Sequence, residues 1–353
     1  MIKGRVVENP LKDDLDHVLT CTQGLWEELR GRRLFITGGT GFFGCWLLES
    51  FAWANEKLGL NASALVLTRN PEAFRRKAPH LGDHRAIGFH AGDVRTFEFP
   101  PGRFSHVIHA ATASSTPPSP LETFDTIVSG TRRVLDFAVA CGAGKLLLTS
   151  SGAVYGRQPP EVAHVDETYA GAPNPDDPAS AYGEGKRAAE LLCTLYGAQH
   201  GFEAKIARCF AFVGPHLPLD AHFAVGNFIR DGLRGGAIEV GGDGTPYRSY
   251  LYAGDLMVWL WTILMRGRAG CPYNVGSESE VTIRELAATV AREFDPAPEV
   301  RIGKRAVPGR AAERYVPATI RAREHLGLQP QIDLRAAIQK TVIWQQQQSR
   351  LNH

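Results

Sequence analysis

Tyr182 and Lys186 stand four residues apart in Ser180-Ala181-Tyr182-Gly183-Glu184-Gly185-Lys186-Arg187-Ala188-Ala189-Glu190, a spacing that puts both side chains on one face of a helix. A free phenol ionises near pH 10 or so, and a tyrosine therefore needs help to act as a base near neutrality. An ammonium one turn away stabilises the phenolate and gives that help. Upstream, Lys145-Leu146-Leu147-Leu148-Thr149-Ser150-Ser151 reads as a buried strand ending in a hydroxyl cluster, and Ser151 at its tip could position a substrate oxygen. Together these groups could move a proton while a redox cofactor moves a hydride. A Tyr-x-x-x-Lys spacing is common by chance, so the catalytic reading depends on the elements around it.

The first of those elements is Leu34-Phe35-Ile36-Thr37-Gly38-Gly39-Thr40-Gly41-Phe42-Phe43-Gly44, followed by the apolar run Cys45-Trp46-Leu47-Leu48. It reads as strand, tight turn, helix. Glycines at 38, 41 and 44 suit a dinucleotide pyrophosphate, which needs a turn free of Cβ atoms and open N–H groups at a helix start. Gly38 is expected to make the turn, Gly41 to admit the phosphates and Gly44 to let the helix pack close to the strand. Phe42 and Phe43 lie between them and join the expected cofactor contacts. The second strand, Ala64-Leu65-Val66-Leu67, ends at Thr68-Arg69-Asn70. An acid at that end would hold the adenosine ribose, whereas an arginine accommodates a 2′-phosphate. Arg69 therefore tilts the expected cofactor toward NADP over NAD, the alternative being NAD held by other contacts. Gly92-Asp93-Val94 closes a third strand, where the Asp93 carboxylate and the Val94 backbone could meet the adenine. A fourth strand, His106-Val107-Ile108-His109, ends in Ala110, Ala111 and Thr112, small enough to leave room for a cofactor across the sheet edge.

Strands alternating with helices specify a parallel sheet. The expected fold is α/β, a Rossmann-type doubly wound parallel sheet with a smaller C-terminal α/β substrate-binding domain. Residues 1–30 form an N-terminal helical extension, in which Leu15, Val18 and Leu19, then Leu25, Trp26 and Leu29, pack short helices on the domain edge. Residues 31–210 form the dinucleotide-binding domain, with 250–276 returning to it; 211–249 and 277–345 form the smaller domain. The Pro- and Asp-rich stretch 157–179 is long for a plain connection and reads as a functional rim. The tail from Trp344, with its four glutamines, is expected to fray.

Of the 353 residues, 44% are apolar and 22% charged, as in an ordinary soluble globule, and the net charge of +2 gives no electrostatic basis for binding nucleic acid or a membrane. Six cysteines without a Cys-x-x-Cys pair suit reduced, mostly buried thiols, and no metal site is expected. With a polar, charged stretch at residues 1–28 and no apolar run long enough for a membrane span, the expected location is the cytoplasm.

Taken together, these motifs resemble the extended short-chain dehydrogenases/reductases of the NAD-dependent epimerase/dehydratase family, which act on nucleotide-diphosphate sugars. The resemblance runs over roughly residues 32–345. It is carried by the glycine turn, Gly92-Asp93-Val94, His109-Ala110-Ala111, Ser150-Ser151-Gly152-Ala153-Val154-Tyr155-Gly156, Tyr182 with Lys186, Arg208 with Val213-Gly214-Pro215, Gly242-Asp243-Gly244 with Arg248-Ser249-Tyr250, and Tyr273-Asn274-Val275-Gly276. It implies that Ser151, Tyr182 and Lys186 are the catalytic triad, with Tyr182 and Lys186 also touching the cofactor and Ser151 the substrate. It further implies that Asn227, Arg248 and Arg310 contact the nucleotide diphosphate, and that the protein is a homodimer.

The departures from the family pattern are informative. Its 4,6-dehydratases place acids after the catalytic Ser/Thr; here those positions are Gly152 and Ala153, which cannot transfer a proton, and a usual substrate-contacting Asn is Ala211. The leading expectation is a nucleotide-sugar C4 epimerase acting through a 4-keto intermediate. The alternatives are an NADP-dependent 4-ketoreductase, a 4,6-dehydratase-like enzyme, or, from another class, a non-catalytic dinucleotide-sensing protein.

Overall fold

Leu34 and Ile36 leave the first strand on one side and Phe35 on the other, and the layers of the molecule follow from that alternation. The structure, a computed structural model, describes residues 9–112, 119–221 and 223–351. Seven parallel strands form the central sheet: β1 (Arg33–Thr37), β2 (Ser63–Thr68), β3 (Ile87–Ala91), β4 (His106–His109), β5 (Lys145–Ser151), β6 (Glu203–Cys209) and β7 (Pro272–Val275). Their spatial order is β7-β6-β5-β4-β1-β2-β3. The order reverses between β1 and β4, and at such a point connections leave in opposite directions and open a crevice beyond the strand ends.

On one face Leu34, Ile36, Val66, Ile108 and Leu147 pack with Trp46, Leu47 and Phe51 of the helix Phe42–Leu58 and with Trp259, Leu260 and Ile263 of the helix Ala253–Arg266. On the other, Phe35, Val107, Leu146 and Leu148 pack with Val134, Leu135 and Ala138 of Pro120–Ala140 and with Ala189 and Cys193 of Ala181–His200. Four of the six cysteines are buried, and all six are free thiols. Among the described residues no helix is long and apolar enough to cross a membrane.

Beyond β6 the elements shorten. The helix Ala224–Leu233 lies beside the pair Ile238–Val240 and Val300–Ile302, and Tyr247–Ser249 forms the centre of a three-stranded sheet between Glu280–Thr282 and Arg314–Tyr315. The stretch 157–179 docks along the chain near 316–318, where Val165 bridges Pro317 and the Gln158 side chain accepts from Val316 N at 3.0 Å.

The N-terminal extension is more deeply embedded than an edge decoration. Leu15 and Val18 of the helix Lys12–Cys21, and Trp26 and Leu29 of the short turn after it, are buried in the same core as the helix Phe42–Leu58. Asp14 accepts from Tyr252 Oη at 2.8 Å and from Lys340 Nζ at 2.9 Å. The glutamine-rich tail also departs from expectation: Leu334–Leu351 is one helix, held by buried Ala337, Ile338 and Val342, with Trp344 against the His216 ring. The apolar face upstream pins the helix, and the glutamines continue it on the outside.

Glu49, in the middle of Phe42–Leu58, is 3% exposed and receives Asn9 Nδ2 at 3.1 Å, with His80 Nε2 at 2.6 Å and His216 Nε2 at 3.6 Å. Burial alone would raise its pKa, but His216 and His80 beside it pull it down to about 2. The hydrogen bond to Glu49 raises the pKa of His80, against an opposing effect of burial. The raised histidine stabilises the fold fully below its ordinary 6.5 and loses that contribution as pH climbs through the folded value. The lowered carboxylate contributes above its ordinary 4.5 and loses its contribution toward pH 2. Glu49→Gln should therefore lower the melting temperature more at about pH 5.5 than at about pH 8.5, as calorimetry would show. An equal loss at both values would remove the pair from the account.

Candidate active site

The glycine turn is built against the end of β4. Gly38 has φ +72°, and a Cβ there would lie 2.4 Å from the Ala110 carbonyl carbon and oxygen and 2.6 Å from Ala111 N. Thr37 Oγ1 accepts from Ala111 N at 3.2 Å and sits 2.7 Å from His109 Nδ1, while His109 Nε2 reaches Thr131 Oγ1 at 3.1 Å. Burial, with a smaller push from the Lys186 charge, lowers the His109 pKa to about 3, so this chain of side chains is neutral. Gly44 is compelled by the turn rather than by the strand expected from sequence: its Cβ would fall 2.2 Å from Gly39 C and 2.3 Å from Gly38 O. Gly41 differs. Its Cβ would meet only Gly38 O, at an ordinary 3.5 Å, and it begins the helix Phe42–Leu58 without a side-chain cap. No packing constraint asks for a glycine there, while the N–H groups of the first turn lack helical acceptors. A pyrophosphate fits that arrangement, with Ala110 and Ala111 as small neighbours. Phe42 and Phe43 are half-buried, and Phe43 packs edge-on against Phe212 at 5.1 Å.

At the far end of the crevice Arg69, just past β2, is exposed. The Asp93 carboxylate is held low chiefly by the Arg95 side chain, and Arg69 adds to the effect. Asp93 Oδ1 accepts from Arg95 N at 3.0 Å and Nε at 2.9 Å, leaving Oδ2, 3.3 Å from Arg95 Nη2, as the freer oxygen beside half-buried Val94. Thr112 is exposed.

The three residues of the expected triad lie at or near the end of β5. Ser151 is 6% exposed, and its Oγ accepts from Ala153 N at 3.1 Å. Tyr182 opens the helix Ala181–His200 and is 36% exposed. Lys186, one turn on, is buried; its Nζ donates to Thr149 O at 2.8 Å and lies 5.8 Å from the centre of the Tyr182 ring.

Tyr315 was not singled out from the sequence, yet its Oη is 3.4 Å from Ser151 Oγ. Burial raises its pKa, and Tyr182 is near enough to add to the rise. Its ring packs on Phe210 at 4.7 Å. Gly152 makes room for both: a Cβ there would lie 2.7 Å from the Phe210 ring and 2.8 Å from Tyr315 Oη. The available signal was the pairing of Gly152 with two later aromatics, which sequence order hides. The register of Tyr315 opposite Arg248 brings that guanidinium to 5.9 Å from the Tyr315 ring centre. Arg248 joins the triad region in this way. Asn227, on the helix Ala224–Leu233, accepts from Arg230 Nη1 at 3.3 Å, and exposed Arg310 is close enough to lower the Asp243 carboxyl. Among the described residues neither bonds to the triad, and no cluster of three or more His, Cys, Asp or Glu could hold a metal ion.

Residues 34–276 match the model of the NAD dependent epimerase/dehydratase family. The chain belongs to that family. As a member it is an NAD-dependent enzyme, and the glycine turn and triad lie inside the matched stretch. UDP-glucuronic acid decarboxylase 3 of Arabidopsis thaliana is 34% identical over 306 residues, 87% of this chain and 86% of that one. UDP-glucuronic acid decarboxylase 1 of Xenopus tropicalis is 31% identical over 315 residues, 88% of this chain and 71% of that one. Among solved structures, a Thermotoga maritima UDP-glucose 4-epimerase with UDP-glucose superposes with a TM-score of 0.73 at 21% identity, over 90% of this chain and 99% of its own. A Streptomyces venezuelae dTDP-glucose 4,6-dehydratase with NAD bound gives 0.73 at 25% identity, over 90% and 98%.

The glycines of this family member make a separable prediction. Gly41→Ala should keep the wild-type melting temperature and weaken NAD binding tenfold or more, about 1.4 kcal/mol, by titration calorimetry. Gly44→Ala should lose both stability and binding, because its Cβ meets backbone. If Gly41→Ala bound NAD like wild type, the pyrophosphate would lie elsewhere.

Proposed function

We propose that this enzyme oxidises a nucleotide-diphosphate sugar at C4 and then reduces the ketone on its other face, a C4 epimerisation. The observation that carries the reading is the acid-free strand end: Ser151, Tyr182 and Lys186 stand beside Gly152 and Ala153, and the space next to Gly152 is filled by Phe210 and Tyr315. Tyr182 removes the proton of the 4-hydroxyl, with the Lys186 ammonium one turn along its helix, 5.8 Å from the ring centre. Ser151 Oγ, with Tyr315 Oη beside it, holds the oxygen at C4. The glycine turn and the open helix start after Gly41 would hold NAD, which would supply hydride chemistry at C4. Between the two transfers the 4-keto sugar turns about its diphosphate link, for which Arg248, Arg310 and Asn227 are the anchors; guanidinium geometry suits a diphosphate. Elimination across C5 and C6 would need an acid and a base that positions 152 and 153 do not offer.

A second reading is favoured by the relatives named UDP-glucuronic acid decarboxylase. A C6 carboxylate lies β to a C4 ketone, so the same first step would labilise it toward loss of CO2. One substrate separates the two. With UDP-glucuronic acid and NAD, epimerisation yields an isomer of unchanged mass, UDP-galacturonic acid, whereas decarboxylation yields a product lighter by CO2. Mass spectrometry with wild type and a Tyr182→Phe control reads the outcome. The control should lose at least about a hundredfold in rate, within the usual range for a removed general base. A wild type that alters no UDP-, dTDP-, GDP- or CDP-sugar would end the C4 proposal, and UDP-xylose would decide for the second reading.

NADP is also accommodated by this reading: Arg69 is exposed just past the end of β2, and an arginine at that strand end suits a 2′-phosphate. Arg69→Ala should weaken NADP binding about tenfold and leave NAD unchanged in calorimetric titrations. An unchanged NADP affinity would take Arg69 out of the pocket, and equal weakening of both cofactors would take it off the 2′-phosphate.

Exposed Leu121 on Pro120–Ala140, and Leu191 and Leu195 on Ala181–His200, support a homodimer joined through these two helices. Light scattering should show a dimer that Leu191→Glu with Leu195→Glu converts to a monomer; a monomeric wild type would refute it.

A further inference from the structure

Ser150 and Ser151 are consecutive on β5 and face opposite ways. Ser151 turns into the site, while Ser150 turns back and donates a hydrogen bond to Glu190 Oε1. Glu190 lies four residues after Lys186 and eight after Tyr182 on the same helix, and therefore on the same face. Its carboxylate is clasped by Arg208 of β6, with Nη2 2.7 Å from Oε2 and Nε 3.1 and 3.2 Å from the two oxygens. Arg208 is the register partner of Ser150, so one carboxylate joins two neighbouring strands to the catalytic helix. The chain continues outward. Arg208 Nη1 donates to Tyr155 Oη at 2.9 Å, Tyr155 donates to Asn274 Oδ1 at 2.7 Å, and Asn274 Nδ2 donates to Ala318 O at 3.0 Å, three residues beyond Tyr315.

We propose that the largely buried Glu190–Arg208 pair is the positioning device of this active site, setting Ser151 against Tyr182 and Lys186 through Ser150. A buried ion pair recovers its desolvation cost only in part, and apolar side chains of similar volume could join the same elements as tightly. What the pair adds is direction. Two carboxylate oxygens receive donors from two strands while their own helix carries the tyrosine and the lysine, so a slide of any one element strains a charge-assisted hydrogen bond. Neither side chain acts on the substrate; both act through Ser151 and the helix. The inference rests on the reading that Ser151, Tyr182 and Lys186 carry out the C4 chemistry.

The test uses the full chain loaded with NAD and compares Ser150→Ala, Ser150→Thr and Glu190→Gln. Ser150→Ala removes the link and leaves the ion pair whole. It should lower kcat about tenfold, with KM for the nucleotide sugar and the NAD dissociation constant within about twofold, because displacement of the reacting groups costs rate before binding. Ser150→Thr, which keeps the hydroxyl, should recover most of kcat. Glu190→Gln should lose about a hundredfold in kcat if it folds. A crystal structure of Ser150→Ala with NAD gives a readout independent of turnover: Ser151 Oγ should move relative to Tyr182 by more than about 0.5 Å, the tolerance of a productive site. An unmoved Ser151, or a Ser150→Ala enzyme with wild-type kcat, would overturn the proposal. A wild type without turnover on any nucleotide sugar would instead count against the C4 reading, and the crystal structure would still decide the positioning role.

Discussion

A buried ammonium sets the terms of this active site. Lys186 is 3% exposed, and stripping water from a cation costs several kcal/mol unless protein dipoles replace it. The replacement is the Thr149 carbonyl at the end of β5, 2.8 Å away, so the same charge fastens the helix of Tyr182 to the strand that carries Ser151. The field of that ammonium extends to its neighbours. It adds to the burial that keeps His109 neutral, and it opposes the rise that burial gives the Cys193 and Cys209 thiols.

The substrate side follows from one missing side chain. Gly152 has no Cβ, and the vacated space holds the Phe210 ring and the Tyr315 hydroxyl. Tyr315 arrives on a short strand pairing with Tyr247–Ser249, so the same contact that covers Ser151 also sets Arg248 nearby. A bulkier residue at 152 would have to push both aromatics aside. The strand end is lined by hydroxyls and an aromatic face, with an arginine behind.

The helix that would receive the pyrophosphate is held from both ends of the chain. Trp46 Nε1 donates to Pro215 O at 2.7 Å, and Trp53 Nε1 donates to Asp16 of the N-terminal helix at 2.8 Å. Asp14 ties that same extension to Tyr252 and to Lys340 of the last helix. Residues that look peripheral along the sequence are part of what keeps the glycine turn in register with β4.

Much of the frame was legible in the residues alone. The glycine spacing, the period-two apolar runs and the four-residue step from Tyr182 to Lys186 are local patterns, and local patterns dictate turns, strands and helix faces without reference to distant chain. The N-terminal segment was legible as short amphipathic helices, but its depth in the core was not, because burial depends on which surfaces meet. The helical course of the glutamine tail was missed for the same reason: glutamine composition says little, whereas Ala337, Ile338 and Val342 docked on the core hold the helix upstream of it. By itself the sequence determined a dinucleotide turn, a parallel sheet and a tyrosine–lysine helix. Only the tertiary structure decided that Tyr315 would stand over Ser151, that Gly44 serves the turn rather than the strand, and that Glu190 and Arg208 would join three elements. Those are contacts between residues far apart in the chain, and their existence depends on strand register and on the packing of one element against another.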